Sequence, residues 1–327
     1  MRYRAVRLAP LAGAVVVAVL LPSVVSNFHS YQLTFVGIYF IAIVGLNVLT
    51  GYSGQISLGH GAFIAIGAYT TAILNVNYGV GEYWTIPCAG VVAGLVGFAF
   101  GFPALRLSGV YLALATFGLA ISIVLVAKRF DHFTGGTPGK VLTLPSSPIG
   151  GLAPQVWLYY LTWSIAAVLV ACAWLLLRGR VGRSLRALRD SPIAATAFGV
   201  NLARFKTFAF GIAAFYAGVA GALLAIAIAF VNPDTFPVSL SILLLTGAVL
   251  GGLGSLGGMV FGAFFIEFVP LYAARVNQSA PTVLYGLILI AVLYALPGGA
   301  AGAVRLAVQA SRRLRGRAPI PSRSSST

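Results

Sequence analysis

The sequence predicts an all-α, polytopic membrane protein, a transmembrane helical bundle of about ten helices with both termini in the cytoplasm. The first observation is composition: 59% of the 327 residues are hydrophobic and 8% are charged, whereas a soluble domain carries roughly 25% charged residues. The second is a mean hydropathy of +0.97, which arises from long apolar runs that recur along the chain. The third is the placement of the cations that give a formal net charge of +16.

Most of the apolar runs approach the length of about 20 residues that a helix needs to cross a bilayer. The predicted spans are 8–26, 31–50, 57–74, 85–102, 109–127, 156–177, 207–230, 237–251, 256–273 and 281–297. Span 237–251 is short, and whether it crosses the membrane alone stays open. Span 8–26 has a second interpretation, a cleaved signal peptide, because a basic start and an apolar stretch precede Val24-Val25-Ser26. The later topology is the same under both interpretations.

The cations orient the bundle. If the spans alternate, 17 of the 21 Lys and Arg residues fall on one side, in the N-terminus, at Arg106, in segment 178–206 and in the tail 305–327. Cytoplasmic loops of membrane proteins carry such an excess. The sequence therefore predicts a multi-pass protein of the cytoplasmic (inner) membrane whose positive charge faces lipid headgroups rather than nucleic acid. We expect one transmembrane domain, residues 1–304, followed by a basic, disordered cytoplasmic tail, residues 305–327.

Groups that perform chemistry are scarce. The chain has five acidic residues and three histidines, and none are spaced as metal ligands, so we predict no catalytic residue, no metal site and no enzyme activity. Residues 135–140 resemble a phosphate-binding loop, but Thr134 stands where that motif requires Gly and Val141 stands where it requires Ser or Thr. Glu267 is the one carboxylate well inside a predicted span, which argues against a proton- or ion-coupled carrier.

The predicted cytoplasmic segment 178–206 contains a short helix. Asp190 or Ser191 before Pro192 is a strong helix start, because an N-cap side chain is followed by Pro at the first helical position. Gly199 then ends the helix. One interpretation is a solvated loop with a fortuitous turn. The other is a docking helix for a soluble partner.

The same segment is similar to the cytoplasmic coupling loop of ABC-importer permeases. That loop carries Glu-Ala-Ala, three residues and then Gly, and its helix inserts into a groove of the ATPase subunit. This chain keeps Ala194, Ala195 and Gly199 at that spacing, with Ile193 where Glu would stand. The distal Ile-x-Leu-Pro of the general motif is missing.

Further segments match in order a more specific group, the branched-chain amino-acid (Leu/Ile/Val) ABC permeases, and residues 30–300 resemble their M-type subunit. One departure is at residues 137–140, which differ from the sequence that usually follows the Thr-Gly-Gly segment (residues 134–136 here) in that subunit. The matching segments are 45–47 (GLN), 50–63 (TGYSGQISLGHGAF), 109–116 (GVYLALAT), 134–136 (TGG), 199–201 (GVN), Lys206, 217–221 (AGVAG) and 251–258 (GGLGSLGG).

The resemblance implies a permease subunit of a binding-protein-dependent importer that translocates branched-chain amino acids. Its partners would be a homologous second permease, two ABC ATPase subunits that use ATP and Mg²⁺, and an extracytoplasmic substrate-binding protein; this chain itself would bind no cofactor. Alternatives are the same importer class acting on urea, short amides or other amino acids, or an ATP-independent channel or secondary carrier. The residues expected in the ATPase-coupling helix are Asp190, Pro192, Ala194, Ala195 and Gly199.

Two further patterns concern packing. Segment 51–61 interleaves glycines with polar residues that would be costly against lipid, so it must face protein or water. It is either an interfacial loop entering a helix or an irregular segment at the pathway or the partner permease, with candidates Asn47, Ser53, Gln55, Ser57 and His60. Small residues four apart let helices approach closely in lipid; they occur at Gly90/Gly94, Gly97/Gly101, Ser57/Gly61/Ala65, Ala214/Gly218/Ala222 and Gly254/Gly258/Gly262.

Overall fold

The structure is a computed structural model that describes residues 21–22, 26–104, 107, 109–143, 152–276, 286–287, 289–291, 294 and 299–303. For residues 104, 275 and 276 it describes the backbone alone. Most of predicted span 8–26, most of span 281–297, Arg106 and the tail 305–327 lie outside these ranges.

The described chain is predominantly helical. Its long helices are α1 (Asn27–Asn47, continued by a π-helical turn Val48–Tyr52), α2 (His60–Tyr78), α3 (Glu82–Ala104), α4 (Val110–Arg129), α6 (Pro154–Arg178), α9 (Leu202–Ile228), α10 (Val238–Gly251) and α11 (Met259–Val276). Shorter elements are α5 (Asp131–Thr134), β1 (Lys140–Val141), α7 (Arg180–Asp190), α8 (Pro192–Ala197), β2 (Phe230–Val231) and a 3₁₀ turn (Pro233–Thr235).

Within the described residues, six helical stretches are long and apolar enough to cross a membrane: Asn27–Tyr52, Glu82–Pro103, Val110–Arg129, Pro154–Arg178, Leu202–Ile228 and Pro233–Gly251. They confirm an all-α membrane protein, while the total of ten spans and the side of each terminus stay predictions. The short predicted span 237–251 gains length because the 3₁₀ turn Pro233–Thr235 precedes α10. Apolar α11 has a shorter stretch, Met259–Ala274.

Helix α9 lies at the centre of the bundle and packs against α1, α2 and α3. Close approach between these helices depends on small residues. On α3, Gly97 lies against Ala214 and Gly101 lies against Thr207 of α9. Between α2 and α9, Gly67 meets the backbone of Gly218. These contacts confirm that small residues spaced four apart form helix contacts, as the sequence predicted for α3 and α9.

Gly221 provides a test of this packing. A Cβ atom at Gly221 would overlap the backbone carbonyl of Ile64, and backbone cannot yield as a flexible side chain does. We expect Gly221→Ala to destabilise the protein by about 1–3 kcal/mol, seen as a lower Tm in detergent. Gly118→Ala on α4 is the matched control, because apart from the adjacent backbone of its own helix no described atom lies within 4 Å of its added Cβ. Equal Tm values for the two variants would contradict this packing.

The connections between helices collect at the two ends of the bundle. At one end, β1 pairs antiparallel with β2, Lys140 opposite Val231. Nearby, the Lys128 ammonium lies 2.8 Å from the Asp234 carboxylate. At the other end lie segments 51–59, 178–206 and 252–258, which hydrogen bonds described below join together. The two-residue strand pair is a departure from the all-α prediction, and it ties the α4–α6 connection to the α9–α10 connection.

Candidate functional site

The second end of the bundle carries an amphipathic helix, α7. Its buried residues Gly182, Leu185 and Leu188 recur every three residues, so they share one helical face. Leu185 is 0% exposed and belongs to an apolar cluster that includes Leu177 and Phe210. The other faces carry Arg180, Arg183, Arg186 and Arg189. Leucine packing therefore anchors α7 to the bundle and leaves its arginines at the surface. The sequence did not predict α7.

A second, shorter helix, α8, follows directly and is capped at both ends. The Ser191 hydroxyl accepts a hydrogen bond from the Ala194 N–H at 3.3 Å, and Pro192 occupies the first turn. At the other end, Gly199 has φ +82°, and the Val200 N–H donates to the Ala195 carbonyl at 3.0 Å. This is a Schellman motif, which needs a residue in the left-handed conformation. The structure confirms the predicted short helix, identifies Ser191 as its cap, and confirms Gly199 as its stop.

The exposed surface of α8 is apolar. Ala195 is 3% exposed and faces the bundle, whereas Ile193 is 84% exposed and Phe198 is 88% exposed. Pro192 and Ala194 are also exposed. Among the predicted coupling residues, Ala195 therefore holds the helix in place, and Pro192 and Ala194 lie on its outer face. A single exposed apolar side chain is unremarkable, but here two large ones, Ile193 in the six-residue helix and Phe198 at its C-cap, form a ready contact surface. Sequence reasoning missed Ile193 and Phe198 as contact residues.

Asp190 has a different role from capping. Its Oδ1 accepts from the Arg189 Nε at 3.1 Å and forms an ion pair with Nη2 at 3.0 Å. The remaining Arg189 nitrogen, Nη1, donates to the Gly51 carbonyl at 2.8 Å. A residue of α7 therefore contacts the π-helical end of α1, far away in the sequence.

Asn47, a predicted pathway or interface residue, is fully buried inside the chain. Its side-chain Oδ1 accepts from the Gly254 N–H at 2.8 Å, and its Nδ2 donates to the Ser255 carbonyl at 3.2 Å. One amide thus satisfies two polar backbone groups of the α10–α11 loop. The same loop lies close to the end of α1, because a Cβ at Gly51 would contact the Gly254 nitrogen.

Ser53 and Gln55 are also buried, at 3% and 4% exposure. The Ser53 hydroxyl donates to the Leu49 carbonyl at 2.6 Å, and Gln55 Nε2 donates to Ser53 Oγ at 2.8 Å. A weaker bond of 3.4 Å joins Gln55 Nε2 to the Lys206 carbonyl at the start of α9. These two residues therefore link the α1–α2 connection to α9.

Ser57 and His60 are fully buried at the entry to α2. Ser57 Oγ accepts from the Gly59 N–H at 3.3 Å, and His60 Nε2 bonds the Ala42 carbonyl at 2.9 Å. Buried His60 Nδ1 has no hydrogen-bond partner among the described residues. The five pathway or interface candidates therefore lie close together along one buried segment. Their assignment to a pathway or interface stays a prediction.

Two partners of this segment were not predicted from the sequence. Thr116 Oγ1 accepts from the Leu58 N–H at 2.9 Å, and Ser241 Oγ accepts from the Gly61 N–H at 2.9 Å. They come from α4 and α10, so the irregular segment satisfies its backbone through other helices, as protein buried in a membrane must. Thr116 is the last residue of the matching segment 109–116, so the sequence did mark it as a residue of interest. Ser241 lies in no such segment.

No group of three or more His, Cys, Asp and Glu residues within the described part of the chain is placed to hold a metal ion. Glu267 lies in α11 and is partly buried, and the two ion pairs found among the described residues do not include it. At this end of the bundle, exposed Ile193 and Phe198 offer an apolar surface to a protein partner.

Comparison with known proteins agrees with this architecture. The family described as "Branched-chain amino acid transport system / permease component" matches residues 28–295. The permease protein LivM of the high-affinity branched-chain amino acid transport system of Salmonella typhimurium is 34% identical over 312 residues, which cover 87% of this chain and 72% of LivM.

Two other relatives are more distant. The permease protein LivH of the same transport system of Salmonella typhimurium is 25% identical over 287 residues, covering 81% of this chain and 91% of LivH. The autoinducer 2 import system permease protein LsrC of Klebsiella pneumoniae is 30% identical over 197 residues, covering 58% of this chain and 55% of LsrC.

Proposed function

Because the chain belongs to the family of branched-chain amino acid transport permease components, we propose that it is the M-type permease subunit of a binding-protein-dependent ABC importer. In this role it carries branched-chain amino acids across the bacterial cytoplasmic membrane, with energy from partner ATPases. The proposal is supported by the match over residues 28–295 and by the similarity to LivM along most of both chains.

The observation that carries the mechanism is the exposed apolar face of α8. Ile193 and Phe198 project from a helix that is capped at both ends and anchored by buried Ala195 and by the leucines of α7. Such a rigid apolar projection in a basic loop suits a groove on a soluble subunit. We assign that groove to an ATPase, which would bind ATP and Mg²⁺ itself and move α8 when it closes.

The orientation follows from charge. The end of the bundle that carries α7 and α8 includes Arg178, Arg180, Arg183, Arg186, Arg189, Arg204 and Lys206, and cytoplasmic loops carry such an excess of cations. This end then faces the cytoplasm and the ATPases, and the β1–β2 end faces outward. With predicted spans 8–26 and 281–297 included, the chain crosses ten times and has both termini in the cytoplasm.

The assembly we propose contains this chain, a homologous second permease, two ATPase subunits and an extracytoplasmic substrate-binding protein. The similarity of this chain to both LivM and LivH, two permeases of one named transport system, supports pairing with a related permease. The binding protein would supply most of the substrate selectivity.

Two alternatives are distinguished by experiment. The first alternative is an importer of the same class for another substrate, such as urea, a short amide or another amino acid. It is motivated by the similarity to LsrC, a relative named for autoinducer 2 import. An ATP-independent channel or carrier is the alternative from a different class, and the scarcity of ionisable groups in the spans argues against it.

Reconstitution into liposomes tests the proposed function. We expect leucine uptake only when both permeases, the ATPases, the binding protein and internal ATP are present. Uptake by this chain alone without ATP would contradict the importer. Thermal-shift measurements on the cognate binding protein identify the substrate: stabilisation by leucine, isoleucine or valine supports the proposal, and stabilisation by urea or an amide alone supports the first alternative.

A further inference from the structure

The α1 helix ends in a π-helical turn, Val48–Tyr52, next to α7, the helix that precedes the docking helix α8. The last carbonyl groups of a helix have no partner within the helix and carry partial negative charge. One of them, on Gly51, accepts a hydrogen bond of 2.8 Å from Nη1 of Arg189. A guanidinium group from α7 therefore caps the C-terminal end of α1 from outside.

The Arg189 guanidinium is held in orientation by its neighbour. Nε and Nη2 contact Asp190 Oδ1 at 3.1 and 3.0 Å, which leaves Nη1 directed at Gly51. Because the guanidinium is planar and its donors are fixed relative to one another, fixing two nitrogens fixes the third. Ser191 and α8 follow Asp190 immediately, so the guanidinium is attached close to the docking surface.

The aliphatic part of Arg189 is also confined. A Cβ atom at Gly54 would lie 2.9 Å from Arg189 Cγ, and Gly54 has φ +73°. Gly54 therefore leaves the space in which the Arg189 side chain crosses the α1–α2 connection. A displacement of α7 would press on this connection as well as on the Gly51 carbonyl.

The structure that receives this contact departs from regular α-helical geometry. A π-helical turn inserts an extra residue into a helix, and such turns are frequent at functional sites. Just before it, Asn47 binds Gly254 and Ser255 of the α10–α11 loop. Movement at Val48–Tyr52 would therefore reach α1, α2, α10 and α11 together.

We propose that Arg189, oriented by Asp190, is the positioning residue that transmits movement of the docking helix α8 to a hinge at Val48–Tyr52. This inference rests on the proposed function. Arg189 lies at the surface, with its side chain 40% exposed, so the bundle does not depend on it for a packed core. Its loss should uncouple energy use from transport and leave the fold intact.

The test compares Arg189→Ala, Arg189→Lys and Arg183→Ala in the complete importer in liposomes, measuring ATP hydrolysis and amino-acid uptake separately. Arg183 is the matched control: it lies exposed on the same helix and makes no side-chain hydrogen bond or ion pair to the described residues. We expect Arg189→Ala to assemble and hydrolyse ATP, while uptake per ATP hydrolysed falls about tenfold. Arg189→Lys keeps the charge but loses the planar guanidinium with its fixed donors. Its uptake per ATP hydrolysed should therefore lie between those of Arg189→Ala and the wild type.

Three outcomes would overturn the proposed transmission role of Arg189. An unchanged ratio of uptake to hydrolysis in Arg189→Ala overturns the transmission role, and so does an equal loss in Arg183→Ala. In the third outcome, Arg189→Ala assembles poorly or has a lower Tm, while the protein that does assemble keeps the wild-type ratio of uptake to hydrolysis. That result would show a purely structural role for Arg189 and would also overturn the transmission role. If the wild-type complex itself fails to couple uptake to ATP, the proposed function fails instead.

Discussion

Replacement of Phe198 with aspartate should abolish uptake, because it removes the largest apolar group from the docking surface. Phe198 is 88% exposed in this chain, so the substitution costs little in folding. In the complex it would place a carboxylate in an apolar groove, and loss of a buried aromatic anchor costs at least about 2 kcal/mol, or roughly 30-fold in Kd. Co-purification of the ATPase subunits with the tagged permease measures this effect directly.

Phe133→Asp is the matched control for this experiment. Phe133 is also exposed, at 52%, but lies in α5 near the β1–β2 end of the bundle. The Phe133→Asp substitution should leave ATPase co-purification at the wild-type level. Phe198→Leu, which keeps the apolar contact, should retain most of it. Normal ATPase binding and uptake in Phe198→Asp would show that α8 does not dock the ATPase.

Replacement of Asn47 with leucine is expected to be the most damaging single change in the buried polar segment. Asn47 satisfies one N–H group and one carbonyl of the α10–α11 loop and is 0% exposed. Leucine would remove both hydrogen bonds, and because Gly254 and Ser255 are only partly buried, each lost bond should cost about 0.5–1.5 kcal/mol. We expect a lower Tm in detergent and a loss of uptake that follows the loss of folded protein.

Asn47→Asp separates the two hydrogen bonds. The carboxylate can still accept from the Gly254 N–H, but its second oxygen would face the Ser255 carbonyl and its charge would be buried without a cationic partner. We therefore expect Asn47→Asp to lower the Tm at neutral pH, and to recover part of the loss at acid pH, where the protonated carboxyl can donate to Ser255 again. If Asn47→Leu keeps the wild-type Tm and only uptake falls, Asn47 serves the pathway or the permease interface instead of the packing of this loop.

Several features of the candidate site were predictable because they depend on local physics. Ser191, Pro192 and Gly199 act on the chain within a few residues of themselves, so the caps of α8 could be predicted from their order alone. The same holds for the small residues of α3 and α9, whose spacing of four places them on one helical face. Local hydrogen bonds confirm the caps of α8, whereas the helix that each small residue of α3 meets is set by the packing of the bundle.

Other features depended on which segments meet. Nothing near Arg189 in the sequence indicates Gly51 as its partner, and nothing near Asn47 indicates Gly254. The polar residues of segment 51–61 were predicted to face protein or water, since lipid cannot satisfy them. Which residues of this chain satisfy the polar groups of the segment depended on the packing of α4, α9 and α10 around it.

By itself, the sequence determined that this is an all-α membrane protein with a capped helix in a basic segment, because hydropathy, charge and cap residues act over one span or one turn. Only the tertiary structure decided that Ala195 faces inward while Ile193 and Phe198 face outward. It also decided that α7 reaches the end of α1 through Arg189. Burial and distant hydrogen bonds depend on how helices pack against one another, and that packing is a property of the whole bundle.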